Sequence, residues 1–204
     1  MKIIVCIKQV PDTKGGVKFN PDGTLDRGAM LAIMNPDDKA GLEAALRLKD
    51  QYGAEVTVRA VVSTCDSLNY VTEEEDLLET FKLVNNYLEP DGIFIFDMNA
   101  PEKYEEVLAD NVFAENRDDA SFIWENLYDS DTQINEYALT LFIEDEESGM
   151  YEKSEEFHYQ RAYSREEIAD LLDRAGFAVL DMTEEDMRLF YTVNVIPGRK
   201  LGNV

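Results

Sequence analysis

The sequence predicts an α/β fold in which helices pack on a mainly parallel β-sheet, with a second, antiparallel sheet inserted into it. Three observations predict this fold. Apolar strand patterns at residues 2–8, 56–64 and 93–98 alternate with amphipathic helical patterns, as strand–helix–strand units do. Residues 110–163 instead alternate apolar and polar side chains, which is typical of antiparallel strands with one wet face. A chain of 204 residues can bury one good core or two small ones.

The first of these units occupies residues 1–61. Residues 2–8 have a central-strand pattern, and residues 17–25 predict two short strands around a Pro-Asp-Gly turn. Asn35 is placed to cap a helix, with Pro36 at the first helical position, where its missing N–H costs nothing. Apolar residues then recur on one helical face, which predicts that this helix packs on a sheet: Leu42, Ala45, Leu48 and Tyr52.

The stretch from residue 56 to residue 70 is the strongest candidate for a site. Its strand is rich in Val, Thr and Ala with Arg59 as the one charge, so burial on both faces is expected. Ligands in open α/β sheets bind outside the carboxyl ends of strands, and two polar tips follow the predicted strands there. The first tip comprises Cys65, Asp66, Ser67, Asn69 and Tyr70, and the second contains Asp97 and Asn99. Ser67 and Asn69 equally suit a purely structural role at a strand-to-helix turn.

The remaining elements follow from capping signals and periodicity. Residues 72–75 and 164–167 predict two capping boxes at helix starts. Antiparallel strands are expected within residues 110–163, closing strands at 177–180 and 189–196, and a disordered tail at 197–204. Two helical stripes are predicted to be buried: Leu77, Phe81, Val84 and Leu88 in one helix, and Ile168, Leu171, Leu172 and Ala175 in the other.

The charge distribution limits the classes of partner. The net charge is −24, which argues against nucleic acids and anionic membrane surfaces. Residues 1–61 hold nine basic and eight acidic residues, whereas residues 62–204 hold ten and 35, a step that suggests two differently evolved pieces. No apolar run is long enough for a membrane span. Cys6 and Cys65, at predicted buried strands, suit a reducing cytoplasm, and one His with two Cys predicts no zinc site.

Residues 1–61 carry a specific resemblance. The runs KIIVCIKQVPDT and NPDDKAGLEAALRLKDQYGAEVTV resemble the amino-terminus of the electron transfer flavoprotein β subunit. The resemblance implies an AMP site and a flavoprotein α-type partner, with FAD bound only when that partner is present. The implied nucleotide-binding residues are Cys6, Asn35, Pro36, Asp37 and Asp38. Because the two aspartates add negative charge, backbone N–H groups are expected to make the phosphate contact. Alternatively, Asn35-Pro36 is simply a good helix start.

Residues 62–180 carry a different resemblance. The runs VVSTCDSLNYVTEEEDLLETFKLVNNYLEPDGIFIFDMN and FHYQRAYSREEIADLLDRAGF resemble the carboxyl-terminal half of a bacterial class I methyltransferase, a family that uses S-adenosylmethionine. The resemblance implies cofactor contacts from Cys65, Asp66, Ser67, Asn69 and Tyr70. It also implies a lid over the substrate pocket that carries His158, Tyr159 and Arg161. Asp97 and Asn99, from their place at the strand end, are expected to contact the small-molecule substrate. His158 alternatively faces solvent or a hydrogen-bond partner, and Trp124 is interpreted as an anchor of the inserted sheet.

The two resemblances predict a Rossmann-like three-layer domain with three candidate functions. A methyltransferase binds its cofactor through a glycine-rich loop between a strand and a helix, and none is found: Gly15-Gly16 lies before a hairpin instead. The first hypothesis is a methyltransferase-like protein with weak S-adenosylmethionine binding. The second is an AMP-binding electron-transfer module in residues 1–61, and the third is a recombined or engineered chimera without native activity. Residues 62–196 would form the methyltransferase-like part.

Overall fold

The computed structural model describes residues 5–7, 9–11, 32–34, 39–145 and 148–199. Within the chain two compact units are found, Met1–Thr57 and Val58–Val204. Each unit is described separately.

In the first unit, the strands β1 (Gln9–Pro11) and β2 (Ala32–Met34) pair antiparallel, and the helix α1 spans Lys39–Tyr52. The apolar stripe of α1 is only half-buried at Leu42, Ala45 and Leu48, and Tyr52 is exposed, so tight packing of this helix on a sheet is not found among the described residues. Residues 5–7 lie outside any strand, so the strand predicted at residues 2–8 is wrong there. The hairpin predicted at 17–25 and the cap at Asn35 lie outside the described residues.

The second unit contains a four-stranded mixed sheet in the order β3-β4-β10-β9. The strands are β3 (Val58–Ser63), β4 (Leu88–Asn99), β9 (Phe177–Glu185) and β10 (Arg188–Val195). The strands β3 and β4 run parallel, as predicted, while β10 is antiparallel to both of its neighbours. The expected mainly parallel sheet is therefore wrong for this unit. A two-residue turn at Asp186 and Met187, both with positive φ, joins β9 to β10, and so short a connection requires antiparallel strands.

One face of this sheet packs against two helices, α2 (Glu74–Tyr87) and α3 (Arg165–Arg174). The predicted helical stripes are confirmed except that Leu88 begins β4 and does not belong to α2. The stripes join the strand residues in one core: Leu77, Phe81, Leu88, Phe94, Phe96, Met98, Ile168, Leu171, Leu172, Ala175, Tyr191 and Val193. The opposite face is open. Val62 is 61% exposed, so the expectation that residues 56–64 are covered on both faces is wrong.

The two predicted capping boxes have different outcomes. At α3, the Ser164 hydroxyl accepts a hydrogen bond from the Glu167 backbone N–H at 3.2 Å, and the Glu167 carboxylate accepts one from the Ser164 N–H at 2.7 Å. This box is confirmed. At α2 the N-cap is Glu73, whose side chain makes no capping bond, so the box at residues 72–75 is wrong. The acidic first turn of α2 still complements the helix dipole.

A separate four-stranded antiparallel sheet lies between β4 and α3 in sequence, as predicted. It comprises β5 (Val112–Asn116), β6 (Ala120–Asp129), β7 (Ile134–Glu144) and β8 (Tyr151–Arg161) in sequential order. The register places Phe113 opposite Trp124 and Tyr137 opposite His158. Because paired residues share a face of the sheet, aromatic side chains accumulate on one side.

Candidate ligand site at the strand tips

The tip of β3 turns sharply before α2. Cys65 and Asp66 have φ values of 65° and 49°, in the left-handed region that aspartate tolerates better than most residues. A 3₁₀ turn at Ser67–Tyr70 follows. The Ser67 hydroxyl donates to the backbone oxygen of Thr64 at 2.6 Å. Ser67 therefore has the structural role that its sequence position also suggested.

A single arginine joins the two predicted tips. Arg188, at the start of β10, donates to Asp97 Oδ2 at 2.6 Å and to Asp66 Oδ1 at 3.0 Å. The Asp66 backbone N–H also donates to Asp97 Oδ2 at 3.3 Å, and Gln160 Nε2 donates to Asp66 Oδ2 at 2.8 Å. Asp97 is 2% exposed, and its Oδ1 has no hydrogen-bond partner in the protein. A buried carboxylate oxygen without a partner can accept a hydrogen bond from a ligand.

Asn69 and Asn99 connect the tips to the antiparallel sheet. The fully buried Asn69 accepts a hydrogen bond from the Asn99 backbone N–H at 2.9 Å and donates to the Arg161 backbone oxygen at 2.9 Å. Both of its polar atoms are thus occupied within the protein. This arrangement makes Asn69 a structural joint that fixes where the tips lie relative to β8.

Beside this joint, a lysine and a tyrosine complete a polar network. Lys103 Nζ donates to Asn99 Oδ1 at 3.1 Å, and the Tyr104 hydroxyl donates to Gln160 Oε1 at 3.3 Å. Burial lowers the pKa of Lys103, and the positive charge of Arg188 acts in the same direction. Burial raises the pKa of the Tyr104 phenol, which therefore stays neutral and able to donate.

Three rings meet above the β3 tip. The hydroxyl groups of Tyr70 and Tyr137 share a hydrogen bond. The His158 imidazole stacks on Tyr137, with ring centroids 4.6 Å apart, and meets Tyr70 edge-on at 5.9 Å. The Nε2 atom of His158 lies 3.1 Å from Glu156 Oε2. The structure thus brings predicted cofactor residue Tyr70 to predicted substrate residue His158.

Other predicted site residues lie elsewhere or have structural partners. Tyr159 is the neighbour of His158 in β8 and therefore projects from the opposite face of the sheet. The Arg161 guanidinium pairs with Glu167 at 3.0 Å and lies 4.6 Å from the centroid of the Tyr163 ring, so it connects the sheet to α3. For Tyr159 and Arg161, these contacts give no support to a substrate-binding role.

The two cysteines are free thiols, and most of the predicted nucleotide-binding residues lie outside the described residues. Cys6 and Cys65 are both exposed; Cys6 lies outside any strand, contrary to expectation, whereas Cys65 follows the end of β3 as predicted. The remaining predicted nucleotide-binding residues, Asn35, Pro36, Asp37 and Asp38, lie outside the described residues. Among the described residues, no cluster of His, Cys, Asp or Glu could hold a metal ion. In the same part of the chain, no helix is both long and apolar enough to cross a membrane.

Arg188, Gln160 and Tyr137 are the site residues that sequence reasoning missed. The alternation of β8 gave a signal for Gln160, since it places this residue on the same face as His158. Arg188 gave no local signal, because it lies 122 residues from Asp66 and 91 from Asp97. A buried aspartate at the end of a strand does require a cation or several donors, and that requirement could have prompted a search for one.

Two parts of the chain are similar to different known proteins, and no protein-family profile matches the chain. It is 36% identical over 126 residues to the Bacillus subtilis protein named "Putative methyltransferase YqeM", covering 62% of this chain and 50% of that protein. It is 61% identical over 57 residues to the acryloyl-CoA reductase electron transfer subunit gamma of Anaerotignum propionicum, covering 28% of this chain and 21% of that subunit. The chain thus spans about half the length of the first relative and about a fifth of the second.

Solved structures give the fold. An S-adenosylmethionine-dependent methyltransferase from Clostridium acetobutylicum ATCC 824 aligns with 79% of this chain and 72% of its own, with a TM-score of 0.63 and 26% identity. The CcbJ methyltransferase from Streptomyces caelestis aligns with 70% of this chain and 59% of its own, with a TM-score of 0.59 and 13% identity, and shows the fold alone. The fold is therefore the Rossmann-like α/β fold of S-adenosylmethionine-dependent methyltransferases.

This chain is chimera-like, because its two parts match different kinds of protein. About sixty amino-terminal residues match electron transfer flavoprotein β subunits, including that of Clostridium acetobutylicum at 59% identity over 59 residues, 28% of this chain and 22% of that subunit. The remainder matches methyltransferases. Both predicted resemblances are confirmed.

The strand tips fit part of S-adenosylmethionine. The unpartnered Asp97 Oδ1 suits a ligand N–H or O–H donor, such as the ammonium of the methionine end. No glycine lies between β3 and α2 or between β4 and β5, so within the described part of this unit no glycine-rich loop is placed to approach the adenosine. Among the described residues, the strand tips thus offer an acceptor suited to the methionine end and no loop suited to the adenosine end.

Proposed function

We propose that the unit Val58–Val204 is a methyltransferase-like ligand-binding unit that holds the methionine end of S-adenosylmethionine next to a small-molecule acceptor. One observation supports this proposal above the others. Asp66, Asp97 and Arg188 converge at the carboxyl ends of a parallel strand pair, and Asp97 has a buried oxygen without a partner. This edge is where α/β sheets bind ligands.

The residues of this unit contribute binding and orientation. Arg188 fixes the two aspartates, and Asn69 fixes the tips relative to the antiparallel sheet. S-adenosylmethionine supplies an activated methyl group when it is bound. Methyl transfer to a reactive acceptor can depend mostly on positioning, so the site needs no dedicated nucleophile. Because the described residues suit only the methionine end, we expect weak binding and little or no activity.

Calorimetric titration of the full chain with S-adenosylhomocysteine tests the proposal. We expect a Kd on the order of 1 mM, which corresponds to about 4 kcal/mol of binding free energy. Asp97→Asn should abolish the binding heat, because the amide replaces the unpartnered carboxylate. Asp181→Asn, at an exposed aspartate of the same sheet, is the matched control and should bind as the unchanged protein does. A folded Asp97→Asn protein with unchanged affinity would contradict the proposed site; circular dichroism checks the fold.

A second candidate function is favoured by the 61% identity of the amino-terminal residues to an electron transfer subunit. This hypothesis is an AMP site in residues 1–61, formed by Cys6 and Asn35 to Asp38, with FAD bound only beside an α-type partner subunit. Titration with AMP and with adenosine distinguishes it, since phosphate contacts at a helix start require the nucleotide to bind more tightly than the nucleoside. Equal binding, or none, would contradict a phosphate site.

The third hypothesis, a recombined or engineered chimera without native activity, predicts binding of neither S-adenosylhomocysteine nor AMP. The two titrations therefore separate all three hypotheses. A cytoplasmic location and the lack of nucleic-acid or membrane partners stay predictions from composition.

A further inference from the structure

We propose that Tyr70, Tyr137 and His158 form the acceptor side of the ligand site and that the acceptor is an organic amine on an apolar or planar scaffold. This inference rests on the proposed function, because it names the chemical class of the small molecule bound beside the strand tips. The three rings come from three separate elements: the 3₁₀ turn after β3, the strand β7 and the strand β8.

The three rings pack into one platform, in which Tyr70 is exposed and the His158 side chain is 11% exposed. His158 stacks on Tyr137 with 19° between the ring planes, and Tyr70 stands almost perpendicular to His158 at 79°. Tyr70 is 40% exposed, so a ligand can reach the platform from its side. Trp124 lies edge-on to Tyr137, with ring centroids 5.5 Å apart. The exposed Tyr70 offers a π face and a phenol oxygen to a ligand, and both attract a positively charged group.

Charge around the platform favours a cation over an anion. The carboxylate of Glu156 lies 3.1 Å from His158 Nε2, and Asp66 immediately precedes the turn that carries Tyr70. Residues 62–204 hold 35 acidic and ten basic residues, so the surrounding field also attracts cations and repels carboxylates and phosphates. An ammonium group attached to an apolar body satisfies both the rings and the field.

The same residues can prepare an amine for methylation. An ammonium must lose a proton before its nitrogen has a lone pair to attack a methyl carbon. An imidazole held by a carboxylate, as His158 is held by Glu156, can accept that proton: an N–H bond of the ammonium breaks, and a new N–H bond forms on the ring. This step needs no further reactant.

His158 is the only histidine in the chain, so the NMR signal of its ring Cε1–H is assigned without competition from another histidine. The full chain is titrated with benzylamine, with its neutral isostere benzyl alcohol and with benzoate, while that signal is followed. We expect benzylamine to shift the signal saturably, and the two other probes to bind at least about fivefold more weakly. Equal responses to benzylamine and benzyl alcohol would show that the site does not select a cation and would overturn the proposal.

Variants locate the binding. Tyr70→Leu should weaken benzylamine binding about fivefold, whereas Tyr70→Phe should stay within about twofold because it keeps the exposed π face. Tyr159→Leu is the matched control: Tyr159 projects from the face of its sheet opposite to that of His158, so its loss should leave affinity unchanged. Equal losses in Tyr70→Leu and Tyr159→Leu would overturn the assignment. Circular dichroism checks that each variant is folded.

The two proposals fail separately. If benzylamine binds as expected but S-adenosylhomocysteine does not, the amine site stands and the methyltransferase-like function falls. If S-adenosylhomocysteine binds while benzylamine leaves the His158 signal unmoved, the amine site falls and the function stands.

Discussion

The two faces of the mixed sheet in the second unit have opposite environments although the same strands build them. On one face, Phe94, Phe96 and Tyr191 pack against α2 and α3 and are almost fully buried. On the other face, Ile93, Ile95 and Phe190 are each exposed by more than a third. Alternation along a strand puts these residues one position apart, so the contrast comes from what covers each face.

Among the described residues of this unit, helices cover one face of the sheet, whereas Rossmann-like folds typically have a helical layer on each face. Such folds bury both sheet faces under helices, which is why their strands have continuous apolar runs. Residues 93–96, Ile-Phe-Ile-Phe, form such a run, yet only the phenylalanines are covered. Stability should therefore depend strongly on one face and weakly on the other.

The sharpest test compares neighbouring residues of β4. Phe96→Ala should cost about 3–5 kcal/mol of unfolding free energy, because Phe96 contacts Phe81, Phe94 and Tyr191 within the core. Ile95→Ala, on the open face, should cost less than about 1 kcal/mol. Urea unfolding followed by circular dichroism measures both. Similar costs would mean that the open face is covered in solution.

The next largest loss of unfolding free energy is expected at Arg188, which donates hydrogen bonds to both strand tips. Arg188→Leu leaves the buried carboxylate of Asp97 without its cation and should cost about 3 kcal/mol of unfolding free energy. The matched control is Arg59→Leu, whose partner Glu89 forms a surface pair with an arginine side chain 73% exposed; this loss should be under about 1 kcal/mol. Adding Asp97→Asn to Arg188→Leu should recover part of the loss. No recovery would mean that the pair matters for reasons other than charge.

The two helices that cover the buried face differ in their N-caps, and we expect this difference to have a smaller effect on the unfolding free energy. Ser164→Ala should cost about 1 kcal/mol, because it removes the N-cap of α3, whereas Ser164→Asp should restore most of that loss. Thr72→Ala, at the start of the box predicted for α2, should have almost no effect, since no side chain caps that helix. Chemical denaturation of the three variants measures the differences, and a large cost for Thr72→Ala would contradict the observed cap.

The smallest effect is a pH dependence at the same cap. Burial alone would raise the pKa of Glu167, but hydrogen bonds from Ser164 and the charge of Arg161 outweigh it and hold the pKa below its ordinary value of 4.5. Because the pKa of Glu167 is lower in the folded state than in the unfolded state, the ionised carboxylate stabilises the protein above the unfolded-state pKa. This stabilisation is lost as the pH falls through the folded-state pKa.

Glu167→Gln keeps the capping geometry and removes the charge, so it isolates this contribution. We expect a loss of under about 1 kcal/mol at pH 7 that shrinks as the pH falls below about 4.5. Unfolding curves of both proteins at several pH values give the difference directly. A difference that grows on acidification would show that the sign is wrong.

Local signals in the sequence predicted much of this unit. The stripe containing Leu77 and Phe81, the cap at Ser164 and the alternation of β6 to β8 each depend on neighbours within a few residues. Such patterns are set by helix and strand periodicity, which a single sequence displays. The placing of Asp66 and Asp97 at neighbouring strand ends followed from the parallel pairing of β3 and β4.

The predictions that were wrong, or that were missed, share one physical cause. Exposure of Val62 and the direction of β10 depend on which other elements cover or pair with a strand, and composition does not encode that. The same holds for Arg188, whose partners are distant in sequence. His158 was recognised as a candidate, but its contact with Tyr70 required the β8 strand to reach the β3 tip, a tertiary relation.

The open face of the sheet also affects how molecules of this protein behave toward one another. Apolar side chains such as Ile95 in β4 and Phe190 in β10, on the open face of the sheet, are a surface suited to self-association. Mutual repulsion between chains of net charge −24 opposes that attraction at neutral pH. Colloidal stability should consequently be lost near the isoelectric point of 4.2, or in concentrated salt, while each molecule is still folded.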